Sequence, residues 1–282
     1  LAKYINQVDD VVIDSGSVPF GPATTMTGDG PAQHDLYIIT GQKWSNTDVE
    51  LECGSGVLPL VYMKSSPVHS VQWAIGLEVM LLIDDPWKTI MTTDHPNGGI
   101  FTQYPQLLTW LMSKKARDDT AKECHKWAYD KSTLGGVDRE LSLYEMAIVT
   151  RANPARTIGM AYRKGHLGAG ADGDVTIYDI DPANLNPNDS AALTAKLARP
   201  EYTIKDGRIV ACQGEIVSVP EGRRFYCQPY MDEDLEKDML KDVKDWFKYY
   251  TVGFANYPVP DKYLKNPVAI PVNQPLEAVM RR

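Results

Sequence analysis

The sequence predicts an α/β protein, and three observations carry that expectation. Apolar runs bounded by Gly, Pro or Ser recur through the first 95 residues, a helical pattern lies between two of them, and turn-punctuated β structure takes over from about Gly165. The runs are VDDVVIDSG (8–16), GVLPLVYM (56–63) and KTIMTTD (88–94). Their apolarity is near-continuous rather than alternating, the pattern of strands covered on both faces in a parallel sheet. Between the second and third, VQWAIGLEVMLLIDDP (71–86) reads as a helix stopped by Pro86, with Asp84 and Asp85 in the turn that ends it. A helix that delivers the chain into a buried strand is a βα repeat.

Helical patterns follow over 103–118 and 119–131, and another begins at Ser142. There Ser142 and Glu145 have the S-x-x-E spacing of a capping box, in which each side chain satisfies a free backbone amide of the other. After Gly165 the segment DVTIYDI alternates, and Asp206-Gly207 sits between two β-rich runs as a two-residue hairpin signal. Gly165, Gly168 and Gly170 precede a strand instead of opening a helix, so they are read as turn residues and not as a phosphate cradle. Further on, Leu235, Met239, Val243, Trp246 and Tyr250 make one apolar helical stripe. Asp232, Glu233, Asp234 and Glu236 lie at its start, where the helix dipole favours negative charge. The stretch YPVPDKYLKNPVAIPVNQP is expected to run extended without regular structure, because of its prolines.

Composition narrows the function classes. The chain has 282 residues, 43% hydrophobic and 23% charged, the balance of a globular protein rather than a disordered, collagenous or coiled-coil one. Its 37 acids and 29 bases leave a net charge of −8, which gives a nucleic-acid surface no support. No run approaches the about 18 apolar residues that span a bilayer, and the first residues lack a signal-peptide pattern, so a soluble, cytoplasmic protein is expected. Leu1 is not expected to be the natural start. Cys53, Cys124, Cys212 and Cys227 form no CxxC pair, and His34, His69, His95, His125 and His166 form no HxH or HExxH motif. No complete metal site is legible.

The string TIMTTDHPNGG (89–99) is the most informative. A strand ends there, and in parallel α/β folds the loops at the C-terminal strand ends converge on one active face. Asp94 is therefore the best catalytic candidate. The plainer alternative is that Asp94 caps a turn or the next helix. His95 follows as a weaker candidate, because neighbouring side chains of a strand point opposite ways.

LSLYEMAIVTRANPARTIGM (141–160) resembles a helix of the amidohydrolase superfamily whose pattern ends in T-x-N-P-A and a Gly-hydrophobic pair. Thr150 or Arg151, Ala152, Asn153, Pro154, Ala155, Gly159 and Met160 occupy those positions. HLGAGADGDVTIYDID and YTIKDGRIV resemble the superfamily's entry into the β-sandwich beside its barrel and the hairpin that closes it. TTDHPNGGIFTQYPQLLTWLMSKKAR, WAIGLEVMLLIDDPWKTIM and FKYYTVGFANYPV resemble, within that superfamily, the A-subunit family of formylmethanofuran dehydrogenases from methane-metabolising archaea. The likeness runs from about Val8 to Val259 and covers only about the second half of such a subunit.

The resemblance implies the C-terminal part of a metal-dependent (β/α)8 barrel over residues 1–160, a β-sandwich segment over 161–228, and a C-terminal helix with a proline-rich tail over 229–282. A complete barrel takes about 250 residues, so this stretch is not expected to close one alone, its other half being either a separate polypeptide or missing by truncation. It further implies a two-zinc centre to which this chain gives Asp94, both metal ligand and general acid/base. The H-x-H pair, the carboxylated lysine and the other histidine ligands have no matching positions here, and Lys64, the only internal lysine at a strand end to consider, is not expected to replace that lysine. His95 and Asn97 would line the substrate mouth. The implied reaction joins formate to the amine of methanofuran. Molybdenum or tungsten pterin and iron–sulfur clusters would sit only in partner subunits, one of them formate dehydrogenase-like and others iron–sulfur proteins. The alternatives are another binuclear amidohydrolase, such as a cyclic-imide hydrolase, and a non-catalytic scaffold.

Overall fold

The computed structural model describes residues 1–27, 56–229, 231–246 and 268–272. These fall into two compact units, one with residues 1–26 and 57–218 and one whose described residues are 27, 56, 219–229, 231–246 and 268–272.

In the first unit, helix α1 (Ala2–Gln7) leads to strand β1 (Ile13–Gly16), followed by β2 (Gly21–Thr27), β3 (Gly56–Tyr62), helix α2 (Pro67–Leu82) and β4 (Thr89–Thr92). Strands β1 and β4 pair in parallel, Ile13 opposite Thr89 and Gly16 opposite Thr92, so two of the three expected parallel runs are neighbours. The third does not join them. Strand β3 pairs instead with β2, a strand the sequence reading missed, in a separate two-stranded sheet. Pro59 gives the physical reason: without an N–H it cannot serve a central ladder and is confined to edge positions.

Helix α2 begins earlier than its periodicity suggests. The Ser66 hydroxyl accepts from the His69 amide at 3.4 Å, and Pro67 fills the first helical position, where no N–H is needed. It ends at Leu82, and Asp85 caps the following turn by accepting from the Trp87 amide at 2.9 Å. Trp73, Ala74, Leu77, Met80 and Leu81 of this helix form the centre of the core with Met91, Leu107, Trp110 and Leu111.

The expected helix over 103–118 is two helices, α3 (Tyr104–Met112) and α4 (Lys114–Ala121). Ser113 is extended between them and accepts from the Ala116 amide at 3.2 Å, so a serine inside an apparent helix is in fact a cap. The expected 119–131 helix is likewise broken, with α5 limited to Lys126–Lys131. The His125 amide is drawn out of any helical ladder by the Lys64 carbonyl at 2.9 Å and the Ser70 hydroxyl at 3.0 Å.

Helix α6 (Leu143–Ala147) starts in the expected capping box: Ser142 accepts from the Glu145 amide at 3.2 Å and Glu145 from the Ser142 amide at 2.8 Å. A π turn over Ile148–Ala152 then precedes α7 (Asn153–Thr157). Pro154 explains the widening, since it donates no hydrogen bond and crowds the carbonyl four residues back, that of Thr150.

Strand β5 (Val175–Ile177), helix α8 (Ser190–Ala198) and strands β6 (Tyr202–Lys205), β7 (Arg208–Cys212) and β8 (Glu215–Ile216) complete this unit. The strands form one antiparallel sheet in the order β5-β6-β7-β8. Asp206 and Gly207 both have positive φ, 51° and 74°, as a two-residue turn matched to strand twist requires. Only one sheet of the expected sandwich is built by the described residues, just as only β1 and β4 of the expected barrel are. By register Val175, Ile177, Tyr202, Ile204 and Ile209 share a face, on which Ile177, Tyr202 and Ile209 are exposed. Helix α8, which the sequence reading missed, buries Leu193 and Leu197 in the common core.

In the second unit, β9 (Phe225–Pro229) pairs in parallel with β10 (Val268–Val272), and helix α9 spans Glu233–Trp246 with Glu233, Asp234 and Glu236 in its first turn. Strand β10 corrects the expectation of a structureless proline-rich stretch: Val268 and Ile270 favour extended backbone, and a two-stranded sheet has only edges, where Pro271 is tolerated. The FKYYTVGFANYPV string lies outside the described residues, apart from its place after α9. Among the described residues, no helix is long and apolar enough to cross a membrane.

Candidate functional site

Strand alternation decides which side chains meet at the end of β4. Ser15 donates to the Gly76 carbonyl of α2, and Met91 lies in the core, so both face the helices. Their neighbours Asp14, Gly16, Ile90 and Thr92 therefore share the opposite face. Thr93 is fully buried, and Asp94 returns to the side of Thr92 as an exposed residue. A side chain at Gly16 would bring its Cβ to 3.6 Å from Asp94 Cβ, which places Asp94 directly above that glycine.

The His95–Pro96 peptide is cis, and Asp94 before it adopts left-handed backbone, φ 46°. Aspartate tolerates this region better than most residues, and left-handed backbone outside glycine gathers at functional sites. The turn is tightly tied. The Asp94 carbonyl accepts from the amides of Asn97 at 2.5 Å and Gly98 at 3.3 Å, and the Asp94 amide donates to the Thr92 hydroxyl at 3.1 Å. The Asn97 side-chain amide donates to one Asp94 carboxylate oxygen at 3.2 Å. From the β2–β3 sheet, the Thr24 amide donates to the Pro96 carbonyl at 3.0 Å and the Tyr62 hydroxyl to the Asn97 carbonyl at 3.0 Å.

The three residues singled out in the sequence are thus brought into one turn. Asp94 is a turn residue, as its plainer reading held, and its carboxylate is also displayed at the strand end. His95 accepts from the Phe101 amide through Nδ1 at 3.3 Å, and its ring meets that of Phe101 edge-on at 5.0 Å. Lys64 is engaged elsewhere, 2.9 Å from Glu123 and above the Phe20 ring.

Two neighbours were missed. Asp14 is exposed overall, but its carboxyl is partly shielded; that shielding first, and the like charge of Asp94 second, raise its pKa above the usual carboxylate value. Burial and the Asp94 charge likewise raise the Tyr62 phenol. The acid inside the apolar run VDDVVIDSG was a visible signal for Asp14. Tyr62 had none, because only the fold brings β3 against the 94–98 turn.

Chemically, the site offers one hydrogen-bonded carboxylate with a second beside it, a phenol that stays protonated and a positioned imidazole. It does not by itself fit a two-metal centre: among the described residues, no three His, Cys, Asp or Glu side chains come together to hold an ion.

The model of the amidohydrolase family matches residues 1–211. Protein FwdA of Methanocaldococcus jannaschii is 45% identical over 265 residues, covering 93% of this chain and 46% of that protein. The A-type component of the formyltransferase/hydrolase complex Fhc of Methylorubrum extorquens is 36% identical over 249 residues, 88% of this chain and 43% of that component. The crystal structure of that complex with methylofuran contains a chain similar in fold, with a TM-score of 0.77 and 32% identity over 97% of this chain and 49% of that one. The chain spans about half the length of the curated relatives it matches.

Proposed function

This chain belongs to the amidohydrolase family, and from that premise we propose that it is part of the A-type subunit of a formylmethanofuran dehydrogenase, which condenses formate with the amine of methanofuran and reversibly hydrolyses the N-formyl product. The Methylorubrum relative is named as part of a formyltransferase/hydrolase complex, and that complex was solved with methylofuran; this chemistry favours the reading over a cyclic-imide hydrolase or a scaffold. Residues 1–160 are assigned to the barrel, 161–228 to the sandwich segment and 229–282 to the C-terminal helix and tail. The protein works in a cytoplasmic complex with iron–sulfur subunits and a molybdenum or tungsten partner of the formate dehydrogenase type.

The observation that carries the reading is the Asp94 carboxylate, displayed at the end of β4 with one oxygen held by Asn97. In condensation formate first takes up one proton from solvent, and the amine nitrogen then attacks its carbon. Asp94 takes a proton from that nitrogen and returns it to the departing hydroxyl, so that water leaves as the C–N bond forms. Hydrolysis runs the same transfers backwards. His95, whose Nδ1 accepts a hydrogen bond, carries its neutral-form proton on Nε2 and offers a donor to the substrate; Asn97 lines the same mouth. Zinc, when bound, supplies polarisation of the formyl oxygen. Asp94 is the one ligand we assign in this chain, and the rest of the set lies outside these 282 residues.

Asp94→Asn in the assembled complex tests the assignment. Formyl transfer should fall by at least about 100-fold while formate oxidation at the molybdenum or tungsten centre is unchanged. Near-wild-type formyl transfer would sink it.

A further inference from the structure

We propose that Tyr62 is a positioning residue for Asp94, acting through Asn97; the proposal rests on the function assigned above and extends it to a residue outside the strand-end motif. The Tyr62 hydroxyl donates to the Asn97 carbonyl at 3.0 Å, and the Asn97 side-chain amide donates to Asp94 Oδ2 at 3.2 Å. Tyr62 thus fixes the backbone of the residue that orients the carboxylate. With one oxygen engaged, the other is left in a defined direction for proton transfer, the kind of alignment whose loss slows chemistry without weakening binding.

Tyr62 is itself held. Its ring meets that of His69 edge-on at 5.0 Å, and His69 Nδ1 accepts from the Met63 amide at 2.9 Å. His69 lies in the first turn of α2, whose inner face is in the core. The sequence of contacts therefore runs from a rigid helix through an aromatic pair to a phenol, then to the turn, then to the carboxylate. Burial keeps the phenol protonated and able to donate. The Thr24 amide grips the same turn one residue earlier, at the Pro96 carbonyl. That bond holds the turn in place but reaches no side chain of the site, so it cannot replace Tyr62 in aiming the carboxylate.

The test is Tyr62→Phe, which keeps the ring on His69 and removes only the hydroxyl. In the assembled enzyme, hydrolysis of N-formylmethanofuran should lose roughly tenfold in kcat, with KM changed by less than about twofold. Amide hydrogen exchange should quicken at Asn97 and Gly98 and stay unchanged in α2, which also checks the fold. Because Tyr62 acts through Asn97, Tyr62→Phe added to Asn97→Ala should slow the enzyme no further than Asn97→Ala alone. Unchanged exchange at Asn97 and Gly98 overturns the proposal whatever the activity does. A change confined to KM overturns it as well, since Tyr62 would then contact substrate. If the wild-type enzyme hydrolyses no formyl amide, the function assigned above has failed, and the exchange result alone decides whether Tyr62 orders the turn.

Discussion

At the scale of single residues, the 94–99 turn is shaped as much by what it lacks as by its functional groups. A Cβ at Gly98 would collide with the Thr93 carbonyl oxygen and stand 3.3 Å from that of Ser17. Both obstacles are backbone, in β4's continuation and in the segment after β1, so neither can swing aside as a side-chain tip does. Gly98→Ala should therefore cost about 1–3 kcal/mol of stability, read as a lowered thermal midpoint, and should loosen the Asn97–Asp94 bond. Gly136→Ala is the matched control: nothing lies within 4 Å of its added Cβ, and its effect should stay within about 0.5 kcal/mol. An unchanged midpoint for Gly98→Ala would show that the turn relaxes freely. The sequence displayed this glycine in HPNGG and marked it as a turn; its tightest neighbour, the Thr93 carbonyl, lies in that same turn, and the Ser17 carbonyl adds a second, looser approach from a segment about 80 positions away.

At the scale of elements, the anchor of β4 comes from the N-P-A motif. Asn153 is fully buried where the π turn meets α7, and its side-chain amide donates to the Thr89 carbonyl at 2.8 Å, at the start of the strand whose far end carries Asp94. Asn153→Ala should cost about 1–3 kcal/mol by leaving a buried carbonyl without its donor, measured by denaturant unfolding. Asn153→Asp should cost more, since it sets one acceptor against another in a buried place. Equal stability of the alanine variant and wild type would assign the motif to some other task. Local signals were readable where the chain itself settles the structure: the Ser142–Glu145 box and the Asp206–Gly207 hairpin both form as the spacing implies. They failed where a partner distant in sequence decides. The breaks at Ser113 and His125 interrupt helical periodicity through caps and tertiary hydrogen bonds, and β3 is diverted to β2 although its run looks like those of β1 and β4. The candidate site followed the same rule: Asp94, His95 and Asn97 share one loop and were found together, whereas Asp14 and Tyr62 arrive from other strands.

At the scale of the whole molecule, an acidic chain of net charge −8 invites the question of what protonation does to it. The densest charge network in the first unit links the loop before β5 to the β6–β7 hairpin. Arg163 donates twice to Asp172, at 3.1 and 2.8 Å, while Lys164 lies 2.8 Å from Asp172 and 2.5 Å from Asp174. Lys205 at 2.6 Å and the Asp206 amide at 2.9 Å close the ring on Asp174. Burial pushes the Asp172 carboxyl up, but the hydrogen bonds and charges of Arg163 and Lys164 outweigh it and hold the group at about 2, against an ordinary 3.8. Asp174 is held well below the usual range in the same way, by Lys164, Lys205 and the Asp206 amide against its burial. A carboxyl that binds protons less readily folded than unfolded stabilises the fold fully above its unfolded pKa and loses that contribution as pH falls toward its folded one. For Asp172 the window is therefore pH 4 down to about 2, and the contribution is on the order of 2 kcal/mol. Asp172→Asn should leave the Arg163 and Lys164 charges without that partner, lower stability at pH 7, and flatten the fall in stability between pH 5 and 2. Denaturant unfolding of both proteins across that range provides the comparison. Parallel pH curves would show that other carboxylates govern acid stability and that the pairs made by Asp172 contribute nothing net in water.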